Sequence, residues 1–340
     1  MSPSTSESSP SDASQNSNKP SHAMVTIRSA VRGHLEMCKA GEKVIVACSG
    51  GADSLALSFA IIKEAQKLAL HVIGITIDHQ LQKQSAQQGQ RVMEQLQLMG
   101  IAESEVVKVA VNITDGVEAS ARRSRYEALD AAADKYGASK VFLGHTRDDQ
   151  AETVLLGLAR GSGTRSLSGM AIESGKYIRP LLAITRAQTV AACEEEGLDF
   201  WTDPHNSNSD FLRVRVRNEV LPVLEKEMGP GVSAALARSS ALLRDDADAL
   251  DAMAKELFST LESQSMDIGA LSKLPRALRT RIIRMALYEA QAPQGSITAE
   301  HVSEIEALIT SWHGQGALSM PGGVKVERIS GRLSLLPPKP

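Results

Sequence analysis

The chain has 340 residues, 42% of them hydrophobic and 23% charged, with a formal net charge of −3. That length supports two domains and a sizeable core, and the near-balanced charge gives no global sign of a polyanion partner, so any nucleic-acid surface must be a local patch. Aromatic residues make up only 3%, and the three cysteines (Cys38, Cys48, Cys193) form no C-x-x-C pair, which speaks against many base-stacking platforms, a disulfide framework and cysteine-held zinc or iron–sulfur.

Residues 1–23 are Ser, Asn, Pro and Gln with almost no apolar side chain, a composition that predicts a disordered tail. The tail lacks the basic start and apolar core of a signal peptide, and no run reaches the length of a membrane span, so a cytoplasmic protein is expected. Ile27, Val31, Leu35 and Cys38 recur at helical spacing and predict a lead-in helix over Met24–Lys39. The short apolar run Val44–Ala47, bounded by glycines, reads as a buried strand. Leu55, Phe59 and Ile62 then predict a helix from Ser54.

Between that strand and helix lies Ser49-Gly50-Gly51-Ala52-Asp53-Ser54. A strand-to-helix turn aims backbone N–H groups at one spot, where the helix dipole also favours an anion. Two glycines allow close approach of the backbone to a ligand, and Ser49 and Ser54 add hydroxyls. A carboxylate beside phosphates is repulsive unless a cation lies between, so Asp53 reads as a Mg²⁺ ligand. Neither a Walker A loop nor a dinucleotide fingerprint is present.

Further along, His71–Asp78, Glu105–Val111 and Val141–Gly144 read as strands, and Ser85–Met99, Glu118–Tyr136 and Asp148–Arg160 as helices. This alternation predicts an α/β, doubly wound, mostly parallel sheet with ligands at the carboxyl ends of its strands. The polar residues after three apolar runs (Ser49–Ser54, Asp78-His79, His145–Glu152) are then expected to converge on one crevice. Asp149 and Glu152, at i and i+3, share a helix face and invite a cation or an ammonium group. Asp148 reads as a dipole partner of the helix start. The span Arg160–Met170 is a basic, glycine-rich loop carrying Arg160 and Arg165. Arg213, Arg215 and Arg217 alternate with apolar residues, which suggests a strand with one basic face, although Asn218–Leu224 looks like the start of a helix. Ser233–Leu261, Pro275–Gln291 and Thr298–Trp312 read as amphipathic helices. A small hairpin is expected over Ser319–Val326 and Gly331–Leu336, with Pro-Gly-Gly as its turn. These form a smaller, mainly helical C-terminal domain without chemical motifs.

Ser-Gly-Gly-Ala-Asp-Ser, Arg122-x-x-Arg125-Tyr126, the Asp148–Thr153 run, the Arg160–Met170 loop and the Asp203…Arg217-Asn218 segment occur in the order seen in bacterial tRNA(Ile)-lysidine synthetases, which are N-type ATP pyrophosphatases. The resemblance spans residues 24 to 225. It implies an adenine nucleotide alpha hydrolase-like domain over 24–215 and a tRNA-binding or structural domain over 216–340. It also implies ligation of lysine to C2 of the wobble cytidine through an adenylated intermediate, giving AMP and pyrophosphate. ATP contacts are then expected at Ser49, Gly50, Gly51, Ala52, Asp53, Ser54, Asp78 and His145, with Mg²⁺ on Asp53. Asp53 and Arg125 take catalytic roles, Asp149 and Glu152 bind free L-lysine, and Arg160, Arg165, Arg213 and Arg217 contact tRNA(Ile) bearing a CAU anticodon. The resemblance implies no membrane partner and is compatible with a homodimer. Longer family members carry a further C-terminal domain, for which this chain is expected to be too short. The sequence departs from the family pattern at Thr146, where a second histidine is common, and at Gln80 and Gln82, where the family has Gly and Arg. A tRNA thiolase of the same superfamily, a glutamine-fed amidating synthetase and a nucleotide-sensing module are the alternatives.

Overall fold

The computed structural model describes residues 22–80, 85–111, 116–161, 163–202 and 210–338. The tail through residue 21, Leu81 and Gln82, Ser162, and the Asp203–Asn208 segment lie outside the described residues.

Helix α1 (His22–Leu35) buries Met24, Ile27, Val31 and Leu35, one stripe of a 3.6-residue period. Strand β1 (Lys43–Ala47) is apolar throughout its centre because it pairs in parallel on both sides, with β2 (His71–Asp78) and with β4 (Ala138–Leu143). Its side chains alternate between two cores. Val44 and Val46 face the core shared with α1, α2 (Ala52–Ala65), α3 (Ser85–Met99) and α7 (Arg186–Glu195), whereas Ile45 faces that of α4 (Val117–Tyr136). Strand β3 (Glu103–Lys108) extends the sheet beyond β2, and the two-residue strands β5 (Glu173–Ser174) and β6 (Tyr177–Ile178) close its other edge. The order is β3-β2-β1-β4-β6-β5, parallel except for β5.

The chain thus turns to opposite sides of β1 to form β2 and β4. The register sets Ala47 beside Ile75 and Leu143, so the loops after these strands open into one crevice at the switch point. On the helical face, buried Glu64 accepts from Arg28 at 2.7 Å, Arg32 at 3.0 Å and Lys67 at 3.0 Å, clamping α1 to α2.

Helix α5 (Arg147–Ala159) leads to the one-turn helix α6 (Thr164–Leu167). The three-arginine segment is helical, not a strand: α8 (Leu212–Arg215) runs through a π-helical turn at Val216–Val220 into α9 (Leu221–Glu227). Pro222 explains the irregularity, since it has no N–H to donate to the turn before it. Val216 of the alternation and Leu221 beyond it pack on Ala151 and Leu156 of α5 instead of lying on a sheet.

That packing also bears on the division of the chain. It divides into two compact units between Ser240 and Ala241, within α10 (Val232–Ser259). The second unit holds α11 (Ile268–Lys273), α12 (Arg276–Glu289) and α13 (Ala299–Thr310). It also carries an antiparallel sheet that extends the expected hairpin to four strands. These are β7 (Ser265–Asp267), β8 (Leu318–Ser319), β9 (Lys325–Ile329) and β10 (Arg332–Leu336), in the order β7-β10-β9-β8. Pro321–Gly323 joins β8 to β9. The β9–β10 turn is made by Ser330 and Gly331, both at positive φ, which suits a tight hairpin. Ile282, Ile283, Leu287, Ile305, Val326 and Leu333 fill this unit's core.

Candidate active site

A cavity of about 660 Å³ opens at the carboxyl ends of β1, β2 and β4. All three expected polar groups line it: the Ser49–Ser54 loop, Asp78-His79, and His145 with Asp149. Arg125 of α4 and Arg213 and Arg217 of the irregular helix complete the wall.

The loop's two glycines serve different ends. Gly50 has φ +83°, and a Cβ there would meet Val92 Cγ2 at 2.6 Å, so both backbone and packing require glycine. Gly51 faces no such obstacle: the nearest atom to where its Cβ would stand is Ser49 Oγ, 3.8 Å away. Ser54 is the loop's internal tie, not a free donor. Its Oγ accepts from the Ser49 N–H at 3.1 Å and donates to the Gly51 carbonyl at 3.0 Å. Ser49 remains exposed. Gly144, at the end of β4, packs so close that a Cβ would lie 3.1 Å from the backbone of Asp53 and Ser54.

Asp53 sits in the first turn of α2, and both its oxygens are taken by α7. Thr189 Oγ1 donates to Oδ1, and Arg186 Nη2 lies 2.9 Å from Oδ2. Burial pushes the Asp53 carboxyl above its ordinary range, with Arg186 and Thr189 opposing. The same Arg186 Nη2 stands 3.7 Å from Asp149 Oδ1. The anion loop and the acidic pair therefore share one guanidinium, and Asp53 is a neighbour of Asp149.

Asp149 divides its oxygens. Oδ2 accepts from the Thr146 N–H at 2.8 Å and from Thr146 Oγ1 at 3.0 Å, which caps α5, while Oδ1 faces the cavity. Thr146 thus replaces the expected histidine with a buried helix cap. Burial opposes ionisation of Asp149, while the Thr146 N–H, Arg186 and Arg217 favour the carboxylate and hold it below its usual range. Burial keeps His145 neutral at physiological pH. His79 is pushed down to about 4 by burial and then by Arg125. The Nδ1 atoms of both histidines are buried without a partner among the described residues. Gln80 adopts φ +55°, the left-handed conformation suited to the glycine it replaces, with its N–H on Asp78 Oδ1 at 2.8 Å.

Glu152 is fully buried and receives Arg217 through two bonds, Nε to Oε1 at 2.6 Å and Nη2 to Oε2 at 3.0 Å. Arg217 Nη2 also reaches Asp149 Oδ1 at 3.2 Å. Arg213 donates to Thr153 Oγ1 at 3.3 Å, and its Nε lies 3.9 Å from Glu152. Of the four arginines expected at a tRNA surface, these two therefore face the acidic pair, i and i+4 on one helical face. Arg160 and Arg165 are exposed and line neither cavity. Arg125 is open to the main cavity and makes no hydrogen bond or ion pair with the described residues.

A second cavity of about 250 Å³ adjoins the first and is lined by Asp148, Glu152, Arg186, Arg217 and Glu225 among others. Asp148 Oδ2 accepts the Arg186 N–H at 2.9 Å, tying α5 to α7. Glu225 is occupied by the N–H groups of Gly231, Val232 and Ser233 at the start of α10. Sequence reasoning passed over Arg186 and Thr189. The signal was local: Thr185 and Gln188 form a capping box, and a cation follows at the first helical position, where the dipole disfavours it.

The Ser49–Ser54 turn lies at the switch point of a parallel sheet, and the PP-loop domain family matches residues 24–224, so the chain is a PP-loop protein. A second match, to the TilS substrate binding domain, covers residues 266–334. The tRNA(Ile)-lysidine synthase of Thermobifida fusca is 46% identical over 316 residues, 92% of this chain and 98% of that one. That of Streptomyces coelicolor is 50% identical over 295 residues, 85% and 84% of the two chains. The chain belongs to the tRNA(Ile)-lysidine synthase family. Among solved structures, the U34-tRNA thiolase NcsA from Methanococcus maripaludis with its [4Fe-4S] cluster shares the fold. It has a TM-score of 0.55 at 20% identity and covers 65% of this chain and 79% of that one. Among the described residues no helix is long and apolar enough to cross a membrane.

Proposed function

We propose that this protein uses ATP to join free L-lysine to C2 of the wobble cytidine of tRNA(Ile) with a CAU anticodon, giving lysidine, AMP and pyrophosphate. The observation that carries this reading is the direct adjacency of an anion loop and a buried acidic pair, linked through Arg186. The C2 oxygen of cytidine is a poor leaving group. It attacks the α-phosphorus of ATP and pyrophosphate departs, held by the N–H groups of residues 50–54. The side-chain amine of lysine, unprotonated, then attacks C2; the C2–O bond breaks, AMP leaves with that oxygen, and the nitrogen releases a proton to solvent. Asp149 and Glu152 bind lysine ammonium. Arg125, without a partner among the described residues, stabilises charge on the adenylated intermediate. His145, uncharged, offers a hydrogen bond to the nucleotide without adding charge.

Mg²⁺ fits the donor set. The described residues hold no cluster of three or more His, Cys, Asp or Glu that could cage a metal, but Mg²⁺ needs only one or two carboxylates plus phosphates and water. Asp53, with Asp149 close by, supplies them. When bound, the ion neutralises charge on the departing pyrophosphate.

A thiolase reading is weaker here, because among the described residues Cys48 is the one cysteine that lines the cavity. The test is incubation with ATP, labelled lysine and tRNA(Ile) bearing CAU, followed by counting label in RNA. Label that requires all three supports the synthase. Pyrophosphate release without lysine incorporation, or incorporation of sulfur, overturns it.

A further inference from the structure

We propose that Arg186 is an exchangeable counterion that makes amine binding depend on phosphate at the loop. The inference rests on the lysine reading of the acidic pair. Three carboxylates, Asp53, Asp149 and Glu152, are faced by the guanidiniums of Arg186, Arg217 and Arg213. Glu118 lies 3.5 Å from Arg213 and Arg125 adds a further cation to the cavity wall, so the carboxylates are met by as many guanidiniums and an arriving ammonium gains once one guanidinium leaves.

Arg186 is held less tightly than Arg217, and it touches both Asp53 of the loop and Asp149 of the acidic pair. Arg217 grips Glu152 with two short bonds and Asp149 with a third. Arg186 contacts each of its carboxylates through a single nitrogen, at 2.9 and 3.7 Å, and its Nε is buried without a partner among the described residues. Its side chain is 35% exposed and forms part of the wall of both cavities. Its backbone is fixed by Asp148, so the side chain can swing while the helix stays put. A cation at the first position of α7 works against the helix dipole, so helix stability does not account for it.

Phosphate at the Ser49–Ser54 loop offers Arg186 a bidentate partner, which a guanidinium fork matches better than two separate oxygens. Drawn onto phosphate, Arg186 leaves Asp149 Oδ1 with Arg217 alone, so that the oxygen's second lone pair can take the ammonium. Arg186 is thus a positioning residue that orders the two ligands, and by linkage lysine strengthens phosphate binding by the same factor.

The test is calorimetric titration of lysine into the full chain without divalent cations, alone, with saturating inorganic pyrophosphate, or with adenosine. In the wild type, pyrophosphate is expected to tighten lysine by about fivefold or more, and adenosine by less than about twofold. In Arg186→Gln, lysine alone binds as tightly as it does to the wild type with pyrophosphate, and pyrophosphate adds nothing. A merely structural role would weaken lysine binding in every arm. The wild-type comparison stands without the variant: lysine binding that ignores pyrophosphate, or responds equally to adenosine, overturns the proposal. So does a folded Arg186→Gln protein with unchanged coupling. Wild-type protein that binds pyrophosphate but no lysine in any arm refutes the amine reading itself, and this inference with it.

Discussion

Glu152→Gln isolates charge from shape at the proposed amine pocket. Glu152 is fully buried and shares two bonds with Arg217, which keeps a third to Asp149 at 3.2 Å. The fold therefore loses one charge-assisted contact without orphaning the guanidinium, a cost of about 1–2 kcal/mol. The ammonium of lysine loses a carboxylate partner worth about 1.5–3 kcal/mol, which corresponds to a rise of roughly 10- to 150-fold in KM for lysine. The Ser49–Ser54 loop is untouched, so adenylation, read as pyrophosphate release with ATP and tRNA, stays within a few-fold of wild type. The assay pairs that release with labelled lysine incorporation across a lysine series. Loss of pyrophosphate release with an unchanged KM for lysine would refute the assignment and place Glu152 on the nucleotide.

Asp53→Asn is expected to lower AMP formation by at least about 100-fold, measured by nucleotide chromatography, while the loop keeps its shape through Ser54. Gly144→Ala drives a methyl group against the backbone of Asp53 and Ser54. It should cost about 1–3 kcal/mol of stability and weaken ATP binding more than lysine binding. Burial pushes Glu64 up, but bonds from Arg32, Arg28 and Lys67 outweigh it and hold the carboxyl at about 2, below its ordinary 4.5. Its stabilising contribution is complete above pH 4.5 and fades as pH falls toward 2. Glu64→Gln should therefore cost about 1–3 kcal/mol in denaturant melts at pH 7 and progressively less below pH 4. If Arg160 meets a tRNA phosphate, Arg160→Ala lowers the slope of log affinity against log salt by about 0.7–0.9, and an unchanged slope removes it from the interface.

Much of the first unit was legible in the sequence because its signals are local. The run Val44–Ala47 is apolar on both faces, which is what a central parallel strand needs, and the left-handed turn at Gly50 admits little but glycine. Topology then brought Asp53, Asp78, His145 and Asp149 to one cavity, as the strand order requires. The errors arose where two periods compete. Arg213, Arg215 and Arg217 satisfy a period of two, yet Arg213 and Arg217 also satisfy i, i+4, and packing of Val216 and Leu221 on α5 decided for the helix. The four-stranded sheet of the second unit was reduced to a hairpin because β7 has three residues and β8 two, too few to show alternation. Arg186 escaped notice because its partners lie 133 and 37 positions away in the chain, at Asp53 and Asp149.

The two oxygens of Asp149 answer to different masters, one closing the first turn of α5 and the other facing the cavity. On the proposed reading of Asp149, a chain in which that turn has frayed presents no amine site at all. Affinity for lysine is then also a gauge of whether this helix has formed, and a half-folded chain would be barred from drawing on the cell's free amino acid.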